Sequence, residues 1–161
     1  MRILGIDPGL QVCGYAVIEA QTLSGDLLEA GVFKTDSKAC IEKRLNQIAK
    51  DITSIITRHE PDYAAVEKLY AHYAHPRTAI LMGHARGVIL EKCANAGIDV
   101  KSFSATKIKK SATGNGRASK QQMQRTIQAL LGLESVPEPN DVADAIAAAF
   151  CCLNYLSSEL V

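Results

Sequence analysis

Short apolar runs alternate with amphipathic stretches along this chain. Ile3-Leu4-Gly5-Ile6 is apolar and closes on Asp7, so residues 2–7 predict a first strand that turns sharply through Pro8-Gly9. Cys13 to Ala20 ("CGYAVIEA") predicts a second strand and Leu27 to Thr35 ("LLEAGVFKT") a third, with Ser24-Gly25-Asp26 as the hairpin turn before it. Ile41, Leu45, Ile48, Ile52 and Ile55 recur at helical spacing, which gives an amphipathic helix over 41–59 that Pro61 ends. Tyr63 to Glu67 ("YAAVE") is a short buried strand that, like the first, ends in an acid. A second helix is expected from about Thr78 to Ala96 and a fifth strand from Ile98 to Phe103. A third helix covers 119–131, with Ser119 as its cap and Gly132 as its stop. The last helix begins near Asn140, after the loop "ESVPEPN", and carries Val142, Ile146, Ala149 and Leu153 on one face. Three meandering strands followed by alternating helices and strands describe an α/β fold, a mixed sheet with helices on both faces. With no internal repeat and no low-complexity linker, residues 1–161 are expected to form a single domain able to bury a full-sized core.

Composition changes this picture little. The chain is 47% hydrophobic and 22% charged, ordinary for a soluble globular protein. The N-terminal apolar stretch is too short for a signal peptide and is interrupted by Asp7. The longest apolar run, Val142 to Leu156, contains Asp144 and falls short of a membrane span, so no membrane association is expected. Five cysteines, an odd number without a CxxC pair, argue against a disulfide framework and for a reducing cytoplasm; a thiol metal site is the lesser alternative.

Net charge is only +1, but its distribution is uneven. Between Val100 and Leu133 lie Lys101, Lys107, Lys109, Lys110, Arg117, Lys120 and Arg125, with no acid among them. From Glu134 onward there are acids and no bases. A solvated helix face is the plain explanation of such a run. A basic surface for a polyanion beside an acidic cluster is the functional one, and the Gly-rich turn inside the segment favours it.

Four carboxylates stand out by position. Asp7 and Glu67 each end an apolar strand, and a buried carboxylate is costly unless it is paired, hydrogen-bonded or bound to metal. Asp141 and Asp144, in "NDVADA", are three residues apart and share one face of a helix's first turn. Alone, an acid at a helix start is explained by the helix dipole. The set of four has a chemical reason. Two Mg²⁺ ions roughly 3.5–4 Å apart can clamp a phosphodiester, one activating water and the other stabilising the leaving oxygen. Mg²⁺ takes oxygen ligands, and closely placed acids repel one another until cations arrive.

"GIDPG" followed by "GYAVI", then "YAAVEKLY", "GHARGV" and "DVADAIAAA", resembles the bacterial RuvC family of Holliday junction resolvases, colinearly over nearly the whole chain. The resemblance implies an RNase H-like fold: a five-stranded mixed sheet, an antiparallel meander plus parallel strands, flanked by helices. It also implies a homodimeric, Mg²⁺-dependent endonuclease, with Mn²⁺ as a substitute ion. Such an enzyme nicks two opposed strands of a four-way DNA junction in recombination and repair, leaving 5′-phosphate and 3′-hydroxyl ends. By motif, Asp7, Glu67, Asp141 and Asp144 are similar to the family's catalytic and metal-binding tetrad. Tyr70 stands where the family has an aromatic implied to stack on a base at the junction, and Lys109 and Lys120 match basic positions implied to contact DNA phosphates. The resemblance places the helix carrying Gly83 and Gly87 at the dimer interface, and makes RuvA and RuvB, the branch-migration proteins, expected partners.

Departures from the family's pattern fall in "AHYAHPRTAILMG", where His75-Pro76 occupies a loop that commonly carries small polar residues, and at His84, which replaces a frequent Gln. His72 and His75 have no third ligand nearby in sequence and do not read as a metal site. "GNG" at 114–116 could bring N–H groups to a phosphate, but reads better as a turn. Among rivals, an RNase H-like relative of the YqgF type acting on RNA would be expected to lack the "DVADA" helix and the basic segment. A sugar-kinase or actin-like ATPase needs two such domains, more than 161 residues supply. Junction binding without catalysis would not require all four acids.

Overall fold

In the computed structural model, which describes residues 1–21, 25–69 and 76–159, strand β1 (Arg2–Asp7) runs through the centre of a five-stranded sheet. Strands β2 (Val12–Ala20) and β3 (Gly25–Lys34) follow it as an antiparallel meander. Helix α1 (Ile41–His59) then carries the chain back so that β4 (Tyr63–Glu67) pairs with β1 in parallel. After α2 (Pro76–Asn95), β5 (Asp99–Phe103) adds in parallel to β4, giving the order β3-β2-β1-β4-β5. Helices α3 (Ala105–Thr113), α4 (Lys120–Leu131) and α5 (Asn140–Glu159) complete the chain.

The central strands are apolar on both sides because both sides are covered. Side chains alternate across a strand. In β1, Leu4 and Ile6 enter the core beneath α1 and α2, while Ile3 enters the core beneath α3, α4 and α5. In β4, Ala64 and Val66 join the first core and Ala65 the second. The same alternation sends Asp7 and Glu67, the last residues of their strands, towards the α5 side.

The mixed sheet with helices on both faces agrees with the sequence expectation. One helix was absent from it. Residues 105–113 form α3, started by the Ser104 hydroxyl, which accepts from the Lys107 N–H, and stopped by Gly114 at φ 74°. Only Ile108 of that helix is fully buried, so no apolar period announces it. The "GNG" glycine Gly114 is therefore a helix stop. The expected turn at Gly25-Asp26 is also corrected: both residues are in β3, paired with Ala20 and Glu19. A residue at Gly25 faces Ile18, Phe150 and Leu153, so contact with α5 keeps this end of the strand in the sheet. Helix α4 has the expected Ser119 cap, with Gln122 completing a capping box, and Gly132 at its end. Cys13, Cys93, Cys151 and Cys152 are buried and Cys40 is exposed, all as free thiols. Among the described residues no helix is long and apolar enough to cross a membrane.

Candidate active site

The site begins with strand register. Ile6 of β1 lies beside Val66 of β4, so Asp7 and Glu67 leave the sheet as neighbours, at the same edge and on the same side. Helix α5 is laid across these strands at very short range, and two glycines permit it. A Cβ on Gly5 would lie 2.1 Å from the Ala145 carbonyl oxygen, and one on Gly14 would lie 2.0 Å from that of Asp141. Gly14 is the cross-strand partner of Asp7. The start of α5 is thus seated directly over the end of β1. From the helix side, Ala143, Ala145, Ala147, Ala148 and Ala149 are buried and small enough to keep the approach close. This packing delivers Asp141 and Asp144, in the first turns of α5, to Asp7.

Asp7, Glu67 and Asp144 line one cleft of about 230 Å³, together with Ala105, Ile108, Lys109, Lys120 and Met123. Lys109 comes from α3 and Lys120 is the first residue of α4, held by the capping box just before it. Asp141 does not line the cleft, but its charge acts on Asp7. Burial, then the charges of Glu67, Asp144 and Asp141, push the Asp7 carboxyl up to about 8, against a smaller opposing pull from Lys120. Burial and the Asp144 charge push Glu67 up to about 7, with Lys109 and Lys120 pulling the other way. Asp144 is raised by burial, opposed by Lys120 and Lys109 and reinforced by Asp141. Neighbouring charges thus add to burial in making Asp7, Glu67 and Asp144 harder to ionise, and the two lysines only partly relieve this.

Such a site holds protons or cations. Among the described residues, no three His, Cys, Asp or Glu side chains close around a single point; the acids line the cleft walls. The donors facing it are carboxylate oxygens, with no thiol or imidazole in the lining, which suits a hard divalent ion such as Mg²⁺ or Mn²⁺ and disfavours zinc.

Gly83, Gly87 and His84, also singled out from sequence, lie elsewhere. Gly83 and Gly87 are on α2, across the sheet from the cleft; a Cβ on Gly83 would be 3.7 Å from Leu69, while one on Gly87 would meet nothing within 4 Å. His84 is exposed on the same helix. Tyr70, His72 and His75 lie outside the described residues. Sequence reasoning missed the cleft walls Ala105, Ile108 and Met123, and it missed Arg86. The Arg86 guanidinium donates to the Glu67 carbonyl oxygen at 3.0 Å and to the Ser102 hydroxyl at 2.8 Å. The only signal for it was an arginine inside the "GHARG" stretch of an otherwise apolar helix segment.

A sheet of this order, with an acid-lined and lysine-flanked cleft at the ends of its two central parallel strands, is that of an RNase H-like nuclease. The family model described as crossover junction endodeoxyribonuclease RuvC matches residues 3–152, and the chain belongs to that family of Holliday junction-resolving nucleases. The crossover junction endodeoxyribonuclease RuvC of Rhodopirellula baltica is 49% identical over 157 residues, covering 98% of this chain and 88% of the relative. That of Heliobacterium modesticaldum is 42% identical, covering 98% and 96%. The structure is similar to that of Thermus thermophilus RuvC in complex with Holliday junction substrate, with a TM-score of 0.92 and 29% identity over 99% of this chain and 96% of that one. Membership of this nuclease family carries a general requirement for a divalent metal.

Proposed function

We propose that the whole chain, residues 1–161, acts as one RNase H-like nuclease domain that resolves four-way DNA junctions by nicking two opposed strands. One observation carries the reading: three strand- and helix-borne acids share a single cleft with two lysines. Asp7, Glu67, Asp141 and Asp144 would hold Mg²⁺, with Mn²⁺ able to replace it. Bound there, the ion would supply an activated water and charge stabilisation at the leaving oxygen, giving 5′-phosphate and 3′-hydroxyl ends.

The chain's own residues set the rest. Buried Ile108 and Met123 give the cleft an apolar wall, which strengthens the electrostatic interactions beside it. Lys109 and Lys120 reach the same space and offer positive charge to a phosphate. Lys120, whose charge acts on Asp7, Glu67 and Asp144 alike, is the better placed to meet charge that builds on the scissile phosphate. Tyr70, three residues beyond Glu67, is assigned the stacking role on the strength of the sequence resemblance alone, returning roughly 1–3 kcal/mol of the cost of opening the junction.

Two cuts on opposed strands need two such clefts, which supports a homodimer. The face of α2 that carries Gly87 is open, and Ile80 on that helix is 61% exposed, so this helix is the candidate interface. The enzyme would work in the cytoplasm with RuvA and RuvB moving the junction; its free thiols fit that reducing compartment. The test is nicking of a synthetic four-way junction, beside linear DNA duplex and an RNA duplex, with and without Mg²⁺. Paired nicks in the junction alone, dependent on Mg²⁺ and lost in Asp7→Asn while junction binding persists, are the expected result. Cutting of linear duplex at the same rate, or near wild-type cutting by Asp7→Asn, would overturn the reading.

A further inference from the structure

The guanidinium of Arg86 is bound in a way that the cleft chemistry leaves unexplained. It projects from α2 to the ends of β4 and β5, where Nε donates to the main-chain carbonyl of Glu67 and Nη2 to the hydroxyl of Ser102. Ser102 pairs with Val66, whose side chain enters the core beneath α1 and α2. The arginine thus holds β4 from the face opposite the one on which Glu67 enters the cleft. Among the described residues it has no carboxylate in ion-pair contact, and burial pushes its guanidinium pKa down. A partly buried cation spent on two neutral acceptors is an expensive way to pack a helix, since a charge is desolvated without a counter-charge to offset it. The same helix touches the segment a second time, two residues on, where Gly83 faces Leu69.

We propose that Arg86 is a positioning residue for Glu67. By fixing the last peptide of β4 from behind, it sets where the Glu67 carboxylate stands in the cleft, and it ties that placement to α2. The proposal rests on the reading of Glu67 as a metal-holding acid. Residues that orient metal ligands change affinity or activity by about 10- to 100-fold when lost, without touching substrate.

The experiment compares Arg86→Gln, Arg86→Lys, Ser102→Ala and Glu67→Gln with wild type in three measurements. These are Mn²⁺ binding by calorimetry without DNA, single-turnover junction cleavage over a Mg²⁺ titration, and metal-free junction affinity. Arg86→Gln should weaken Mn²⁺ binding severalfold, raise the half-saturating Mg²⁺ concentration and slow cleavage by about 10- to 100-fold, with junction affinity within about twofold of wild type. Arg86→Lys, which keeps one cationic donor, should recover part of the loss, and Ser102→Ala should shift both metal readouts less, in the same direction. Should Arg86→Gln fail to fold, Arg86→Lys and Ser102→Ala still carry the test through Mn²⁺ binding. Wild-type metal binding in all the Arg86 and Ser102 variants that fold, beside a defective Glu67→Gln, would overturn the positioning role alone. Wild-type metal binding and cleavage in Glu67→Gln would overturn the reading of the cleft and the role of Arg86 together.

Discussion

The two faces of the sheet are packed by different means. Under α1 and α2 the core is made of large branched side chains: Leu4, Ile6, Val17, Ile48, Ile52, Ile55, Val66 and Ile89. Under α5, Ile146, Phe150 and Leu153 also fill the core, but where Gly5 and Gly14 meet Ala145, Ala149 and Asp141 the backbones nearly touch. Long side chains can shift rotamer to absorb a change, whereas a helix seated on bare backbone cannot. The rigid face is the one that carries Asp7, Glu67, Asp141 and Asp144. Close packing there fixes a helix start to a strand end, and so fixes the mutual distances of acids that repel one another. The softer face buries its area with side chains that can adjust, and from it Arg86 of α2 reaches the end of β4.

One methyl group changed on each side should separate the two faces most strongly. Gly14→Ala puts a Cβ against the Asp141 carbonyl, which must move, so α5 lifts at its first turn. Overpacking of this kind costs about 1–3 kcal/mol, and junction cleavage should fall at least about a hundredfold, equivalent to about 2.7 kcal/mol. Ile52→Val on the opposite side should cost about 0.5–1.5 kcal/mol in urea unfolding yet leave cleavage within about twofold. Equal effects of both changes on cleavage would mean that the α5 seat does not position the site.

Smaller effects are expected from the lysines at the cleft rim. Lys120→Ala should slow single-turnover cleavage about tenfold, more than it weakens binding, because its charge acts on Asp7, Glu67 and Asp144 alike. Lys109→Ala should act more on affinity, and each change should lower the salt dependence of binding by about one counterion. Unchanged rate and affinity in both variants would reduce them to solvated surface. On the soft face, Gly87→Leu enters open space within a helix in one chain, so monomer stability should hold or rise by up to about 1 kcal/mol. Light scattering should nevertheless show the dimer lost; a dimer that survives would exclude this part of α2 from the interface.

The rigid face was the more legible one from sequence. A strand that ends in an acid, twice, and an acid pair at helical spacing before an alanine run are local patterns, and β1, β4 and α5 carry them as expected. What stayed hidden was long-range or weakly patterned. Helix α3 has three lysines among nine residues and one buried isoleucine, too little for periodicity, yet it supplies Ala105, Ile108 and Lys109 to the cleft. The contact of Gly14 with Asp141 joins residues far apart in the chain, and nothing local to either reports it. Arg86 acts on a main-chain oxygen, which leaves no trace in residue types. Asp141 matched the acid pattern as well as Asp144 did, but only Asp144 lines the cleft, a distinction that spacing along one helix face does not carry.

If these acids form one electrostatically coupled site that takes cations, thermal unfolding shows it without any substrate. Asp7 and Glu67, pushed from 3.8 to about 8 and from 4.5 to about 7, keep protons in the folded protein that the unfolded chain has already released. The metal-free protein should therefore lose stability as pH rises from about 4 through 8, and retain what it has at the acid end of that window. Asp7→Asn removes one of the repelling charges, so at pH 8 without metal it should melt higher than wild type by roughly 2–4 °C, the equivalent of about 1 kcal/mol. Mg²⁺ at tenfold its dissociation constant should add about 1.4 kcal/mol to wild type and little to Asp7→Asn. The decisive measurement is the pair of melting temperatures at pH 8, with and without Mg²⁺, for these two proteins. A higher metal-free Tm in Asp7→Asn, with the Mg²⁺ gain confined to wild type, is the expected result. A lower metal-free Tm in Asp7→Asn, with an equal Mg²⁺ gain in both, would contradict it.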